Sequence, residues 1–169
     1  VDLPYPARWV AIKLLEKDVD KVVRNLNSSD VESLNVRIKN EETPRKYMPD
    51  NILALYKVAL DNCLTYKFDT AISGIANIIN KYPDSPITEN CRYWIALSHF
   101  TKGNIEIALE GFEEVINDTR FKQKDDDSAL MIGITYYKTG KFAEALIKFN
   151  EFVTLYPDSE YREIVEKWI

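Results

Sequence analysis

One spaced pattern occurs three times in this chain of 169 residues, each copy 37 residues after the last, and it limits the folds open to the chain. With Ala59, Ala96 and Gly133 in register, small residues recur at Ala71, Ala108 and Ala145. Large apolar residues recur at Ile75, Phe112 and Phe149, and again at Ile78, Val115 and Phe152. Phe68, Ile105 and Phe142 form a further column, and Tyr82-Pro83-Asp84-Ser85 returns as Tyr156-Pro157-Asp158-Ser159. A period of this size marks stacked supersecondary units, each too small to bury its own apolar face. The expectation is a solenoid, an architecture that usually binds rather than catalyses.

The units carry the punctuation of helix pairs. Gly103 and Gly140 stand where a first helix ends in a left-handed residue, and Tyr66 takes that place in the first copy, where the turn is expected to be strained. Pro83 and Pro157 stop second helices, and Ser85 reads as an N-cap with Pro86 pre-set at the first helical position. A Gly or Ala on the first helix and an Ala on the second let the two backbones approach closely. The second copy departs at its end, where Thr119-Arg120-Phe121 replaces Tyr-Pro-Asp and a charged run from Lys122 to Asp127 follows. Its three consecutive aspartates lack the alternate spacing, Gly and later Glu of a calcium loop, so a solvated loop is expected there. Glu160–Ile169 reads as one more helix, with Tyr161, Ile164, Val165 and Trp168 on its apolar face, capping the stack.

Residues 1–45 read as a separate N-terminal helical segment. Trp9, Val10, Ile12, Leu14, Leu15, Val19, Val22, Val23 and Leu26 suit one helix or two abutting helices over residues 7–26. Ser29 with Glu32 is a capping-box signal for a second, and strand–helix–strand over residues 8–38 is the alternative. Pro44 and Pro49 bracket a polar linker at about residues 40–50, after which the repeats occupy residues 51–169. The predicted fold is thus all-α: a right-handed superhelical stack of three helix pairs, a C-terminal capping helix and the N-terminal segment.

The third copy spaces Gly133, Tyr136, Ala145, Phe149 and Pro157 as Gly-x2-Tyr…Ala-x3-Phe…Pro, which resembles the tetratricopeptide repeat. Tyr82-Pro83-Asp84-Ser85-Pro86 followed by Cys91-Arg92-Tyr93-Trp94-Ile95-Ala96 is similar to the long-period repeats of bacterial envelopes. The likeness is to the Tol–Pal-associated periplasmic family YbgF/CpoB and, more distantly, to the outer-membrane assembly lipoprotein BamD. Cys91 and Ala96 stand where that family commonly has Ala and Gly, and residues 1–45 do not resemble its coiled coil. The N-terminal run LLEKDVDKVVRNLNSSDVESL has a faint likeness to short helical units of the flagellar switch protein FliG and the magnesium channel MgtE. The resemblance implies a non-enzymatic protein–protein interaction scaffold or adaptor in a periplasmic envelope complex. A cytoplasmic or flagellar-assembly adaptor, or the repeat domain of a larger enzyme or receptor, is the alternative.

In such stacks the first helices line a concave groove. The family's groove positions fall here on Tyr56, Leu60, Tyr93, Leu97, Phe100, Ile134 and Tyr137. The Lys and Asn positions that clamp a carboxylate in chaperone-tail binders hold Tyr56, Leu60, Trp94, Asp127 and Met131, so an apolar helix or extended apolar peptide is the expected ligand. Self-association through this surface, or around Trp168, is a further expectation.

Other functions find little support. A net charge of −5 and a pI near 5.0, with scattered Lys and Arg, argue against a nucleic-acid partner. No apolar run approaches a membrane span. The chain opens at Val1 with no signal-peptide pattern and no initiator Met, as a trimmed or mature form would, so the missing leader says little about compartment. Cys63 and Cys91 belong to different units, at opposite ends of neighbouring parallel helices, and are expected to be buried free thiols. His99, the one histidine, has no Asp, Cys or Ser at a helical spacing that would orient it as a base. No metal-ligand spacing and no phosphate-cradling glycine motif is present, so no cofactor is expected.

Overall fold

The computed structural model describes residues 51–169, and the expectations for the N-terminal segment, its capping box and the linker lie outside them. Seven helices follow one another, with no strand among the described residues: α1 (Asn51–Leu64), α2 (Phe68–Lys81), α3 (Ile87–Lys102), α4 (Ile105–Asn117), α5 (Asp125–Lys138), α6 (Phe142–Leu155) and α7 (Arg162–Glu166). Each helix packs on the next in sequence, and α1 also touches α3. The result is the expected helical repeat stack, with α1, α3 and α5 as inner helices and α2, α4 and α6 as outer ones.

The repeating columns are the seams of this stack. Ala71, Ala108 and Ala145 are buried, as are Ile75, Phe112 and Phe149 one turn further on. Close approach explains the small residues on the inner helices. A Cβ built on Gly111 of α4 would stand 2.8 Å from the Cβ of Ala96 on α3, and one on Gly133 of α5 would run into the ring of Phe149 on α6. Gly74, the counterpart of Gly111 on α2, leaves 3.8 Å to Ala59. The first two pairs thus place Gly on the outer helix opposite Ala, whereas the third places Gly on the inner helix opposite an aromatic ring. The Gly74–Gly111 column has the same 37-residue spacing as the others and was open to sequence reading, but only the contact gives it meaning.

The turns follow their end residues. Gly103 (φ 88°) and Gly140 (φ 77°) are left-handed, and Tyr66 adopts φ 60° in the equivalent first turn, a conformation that costs a side-chain-bearing residue about 1 kcal/mol or more. Ser85 corrects an expectation. Its hydroxyl makes no cap bond; its carbonyl instead accepts the backbone N–H of Thr88 (2.9 Å) and the Thr88 hydroxyl (2.8 Å) ahead of α3. At the far end, Val165 of α7 and Trp168 in the turn after it are buried in the core, with the Trp168 ring 5.4 Å from that of Phe149.

Candidate protein-interaction surface

The inner helices hold every expected groove residue. Tyr56 and Leu60 lie on α1, Tyr93, Leu97 and Phe100 on α3, and Ile134 and Tyr137 on α5. All are buried except Tyr137, which is partly buried. Tyr93 packs edge-on against Trp94 (centroids 6.1 Å) and at 5.8 Å from Phe112 of α4, so it joins the inner face to the seam between α3 and α4. Phe100 lies beneath the Lys138 ammonium, 4.3 Å from its ring centre, and Tyr137 meets Phe142 at 5.3 Å. Leu97, Trp94, Met131 and Ile134 complete one continuous apolar layer across α3 and α5.

On α3 and α5 this layer reaches beyond the side that faces the outer helices. On α3, Ala96 faces the outer helix α4 through Gly111, and Trp94 lies on the opposite side, only 1% exposed. On α5, Gly133 faces Phe149, and the opposite residue Met131 is 0% exposed. Outer helices differ: α4 buries Ala108, Phe112 and Val115 on one stripe and turns Glu106, Glu110, Glu113 and Glu114 to solvent.

A polar knot sits beside this layer, where the start of α3 meets the start of α5. Of the run Lys122–Asp127, expected to be a solvated loop, Lys122 and Gln123 are exposed ahead of the helix, whereas Asp125–Asp127 open α5 and Lys124, Asp125 and Asp127 are buried. Glu89, fully buried on α3, accepts the backbone N–H groups of Gln123 (3.0 Å) and Lys124 (3.2 Å). Lys124 pairs with Asp127 at 3.0 Å and Lys122 with Asp125 at 2.7 Å. Ser159 donates to Asp126 (2.8 Å) and the Tyr161 hydroxyl to Asp127 (3.1 Å), tying the last connection to the same knot. The three aspartates occupy the first turn of α5, where the helix dipole favours negative charge. That first-turn preference was the signal in the sequence; the Glu89 carboxylate, distant in the chain, could not be read from it.

The titrating groups are structural in their chemistry. Burial raises Glu89 above the ordinary carboxylate range, against the lowering effect of its two backbone N–H bonds. Burial pushes the Cys91 thiol up to about 12 and raises that of Cys63, whose sulfur lies 3.5 Å from the Ser98 hydroxyl. Both thiols are free and buried, so neither has the low-pKa, exposed character of a reactive cysteine. His99 is lowered by burial and by nearby Lys102, and its Nδ1 lies 3.2 Å from the Asn104 amide. Among the described residues no cluster of His, Cys, Asp and Glu could hold a metal ion, and no helix is long and apolar enough to cross a membrane.

An all-helical stack of pairs with small residues at its seams and an apolar inner layer defines the class of helical-repeat proteins. Residues 120–159, which contain α5, α6 and their flanks, match the family model of the tetratricopeptide repeat. That match supports a tetratricopeptide-repeat protein, and such repeats generally mediate protein–protein interaction. No curated protein matches the chain.

Proposed function

We propose that this chain is a non-enzymatic scaffold or adaptor that receives an apolar helix or extended peptide along its inner helices, in a periplasmic complex of a bacterial envelope. The observation that carries the reading is the uncharged layer of Tyr56, Leu60, Tyr93, Leu97, Phe100, Ile134 and Tyr137 running through all three inner helices. An apolar groove of this kind accepts the apolar face of a helix through anchors at i, i+3, i+4 and i+7. Trp94 and Met131 fill positions where a carboxylate clamp would need Lys or Asn, so an acidic chain terminus is a poor fit. The envelope assignment draws on the similarity of Tyr82–Pro86 and Cys91–Ala96 to the YbgF/CpoB repeats.

Site-specific photocrosslinking in the source cell tests both parts. Benzoylphenylalanine replaces Tyr137 at the inner face or, as a control, the exposed Glu113 on α4. The expected result is a protein adduct from position 137, recovered in the envelope fraction, with none from position 113. Adducts from position 113 alone remove the inner-face reading, and adducts confined to the cytosol replace the envelope role with a cytoplasmic adaptor.

A further inference from the structure

One buried charge in the polar knot has no counter-charge. Glu89 of α3 is 0% exposed, and backbone N–H groups take both its carboxylate oxygens, Gln123 at Oε2 and Lys124 at Oε1. Among the described residues no Lys or Arg pairs with it, because the cations around it are turned elsewhere. Arg92, one turn further along α3, pairs with Asp118 at 3.2 Å, Lys122 with Asp125 at 2.7 Å and Lys124 with Asp127 at 3.0 Å. From α5, Asp125 brings a second negative charge to bear on Glu89.

Asp125 is itself only half satisfied. Its Oδ2 has Lys122, an exposed cation whose field solvent screens, and its buried Oδ1 has no donor among the described residues. Asp126 and Asp127, by contrast, accept hydroxyl groups from Ser159 and Tyr161. The negative field reaches the end of α6, where Tyr156 is pushed up to about 12 by burial and then by Asp125 and Asp126. Two carboxylates at one buried junction, with a single exposed cation to serve both, are harder to ionise together than in water.

We propose that Glu89 and Asp125 form a proton-binding pair that takes up one proton from mildly acidic solution and so tightens the joint between the second and third helix pairs. The latch goes beyond the docking role of the inner face, since it joins α3 to α5 whatever those helices bind. The proton goes to Glu89, the more deeply buried of the two. A protonated carboxyl keeps lone pairs for both backbone N–H groups, and its O–H adds a donor to a junction where Asp125 Oδ1 lacks one. Burial is the largest influence on Glu89 and raises it, Asp125 adds to the rise, and the two N–H bonds and Lys122 oppose it. A carboxyl raised on folding contributes stability that is complete below its unfolded value and is lost as pH rises through the folded one. The joint is therefore firmest in mild acid and loosens towards neutral pH. Because the two groups interact, the midpoint belongs to the pair.

Proton–nitrogen correlation spectra of the purified full chain, recorded from about pH 4 to 8, test the latch. The amide signals of Gln123 and Lys124, which bond to Glu89, should move together with a midpoint above the ordinary glutamate value of 4.5. In Asp125→Asn, which keeps the shape of the side chain and removes its charge, that midpoint should fall towards 4.5. The melting temperature of wild type minus that of Glu89→Gln should grow as pH is lowered from about 7.5 to 5. A midpoint at or below 4.5, a midpoint unmoved by Asp125→Asn, or a melting difference that stays flat or shrinks on acidification would each overturn the proposal. Should Glu89→Gln fail to fold, the spectra of wild type and Asp125→Asn decide the matter without it.

Discussion

Helices α4 and α5 lie side by side, and both are rich in apolar residues, yet they distribute them in opposite ways. In α4 a single stripe of Ala108, Phe112 and Val115 is buried and four glutamates face solvent. In α5 every residue from Leu130 to Thr135 is buried, so no stripe exists. An outer helix of this stack satisfies its sequence by leaning on its neighbours from one side. Helices α3 and α5 do not, because Trp94 and Met131 lie away from the outer layer and are still closed to solvent. The difference sets the two helices apart: α4 turns charge outward from its one buried stripe, whereas α5 carries buried apolar residues on both sides.

Substitutions that remove bulk from each layer give the largest contrast. Trp94→Ala on the inner layer should cost about 3–5 kcal/mol in chemical denaturation. Leu155→Ala on outer helix α6, where the side chain is 67% exposed, should change stability by less than about 0.5 kcal/mol. Equal losses at the two positions would erase the distinction between the layers.

The seams sharpen it. Gly133→Ala and Gly111→Ala each press a methyl group into an occupied position, and a net loss of about 1–3 kcal/mol is expected despite the better helix propensity of alanine. Gly74→Ala has room and should be neutral or gain up to about 1 kcal/mol. Thermal unfolding of the three variants side by side checks the order.

A smaller gain is available where the first inner helix meets its outer partner. Tyr66 is left-handed, while the same turn in the other two pairs uses glycine. Its ring is 62% exposed, with Phe68 at 5.8 Å as its aromatic neighbour. Tyr66→Gly should therefore raise stability by about 1 kcal/mol, measured by the denaturation midpoint, with the lost ring contact as the opposing effect.

The smallest effect is one of pH. Hydrogen bonds from Arg120, with further help from Arg92, hold Asp118 down to about 2, below its ordinary value of 3.8. A depressed carboxylate contributes stability that is fully present above its unfolded pKa and is lost as pH falls through the folded value. The stability difference between wild type and Asp118→Asn should therefore be constant above about pH 5 and shrink towards pH 2. A difference independent of pH would show that the Asp118–arginine pairs act through shape alone.

Much of this was open to a reader of the sequence, for physical reasons. The stack shows through because close helix approach tolerates only small side chains, which fixes Ala59, Ala96 and Gly133 in one column, and because left-handed helix ends select Gly103 and Gly140. The strained turn at Tyr66 followed from the same column. The run Lys122–Asp127 misled in part because charge reads as solvent exposure, whereas its aspartates open a helix and the run finds Glu89, Ser159 and Tyr161 from other parts of the chain. Ser85 misled because a capping residue type does not oblige its hydroxyl to cap. The inner face was legible in composition but not in exposure, since Tyr93, Leu97 and Phe100 would serve an open groove or an enclosed layer equally well.

Enclosure of the inner helices is the central claim, and Trp94 reports on it directly. In the Trp9→Phe/Trp168→Phe variant it is the sole tryptophan. Short-wavelength emission with weak acrylamide quenching is the result this account requires, because the indole is 1% exposed. Emission at the wavelength of a hydrated indole, quenched as readily as free tryptophan while the helical circular dichroism stays intact, would contradict it.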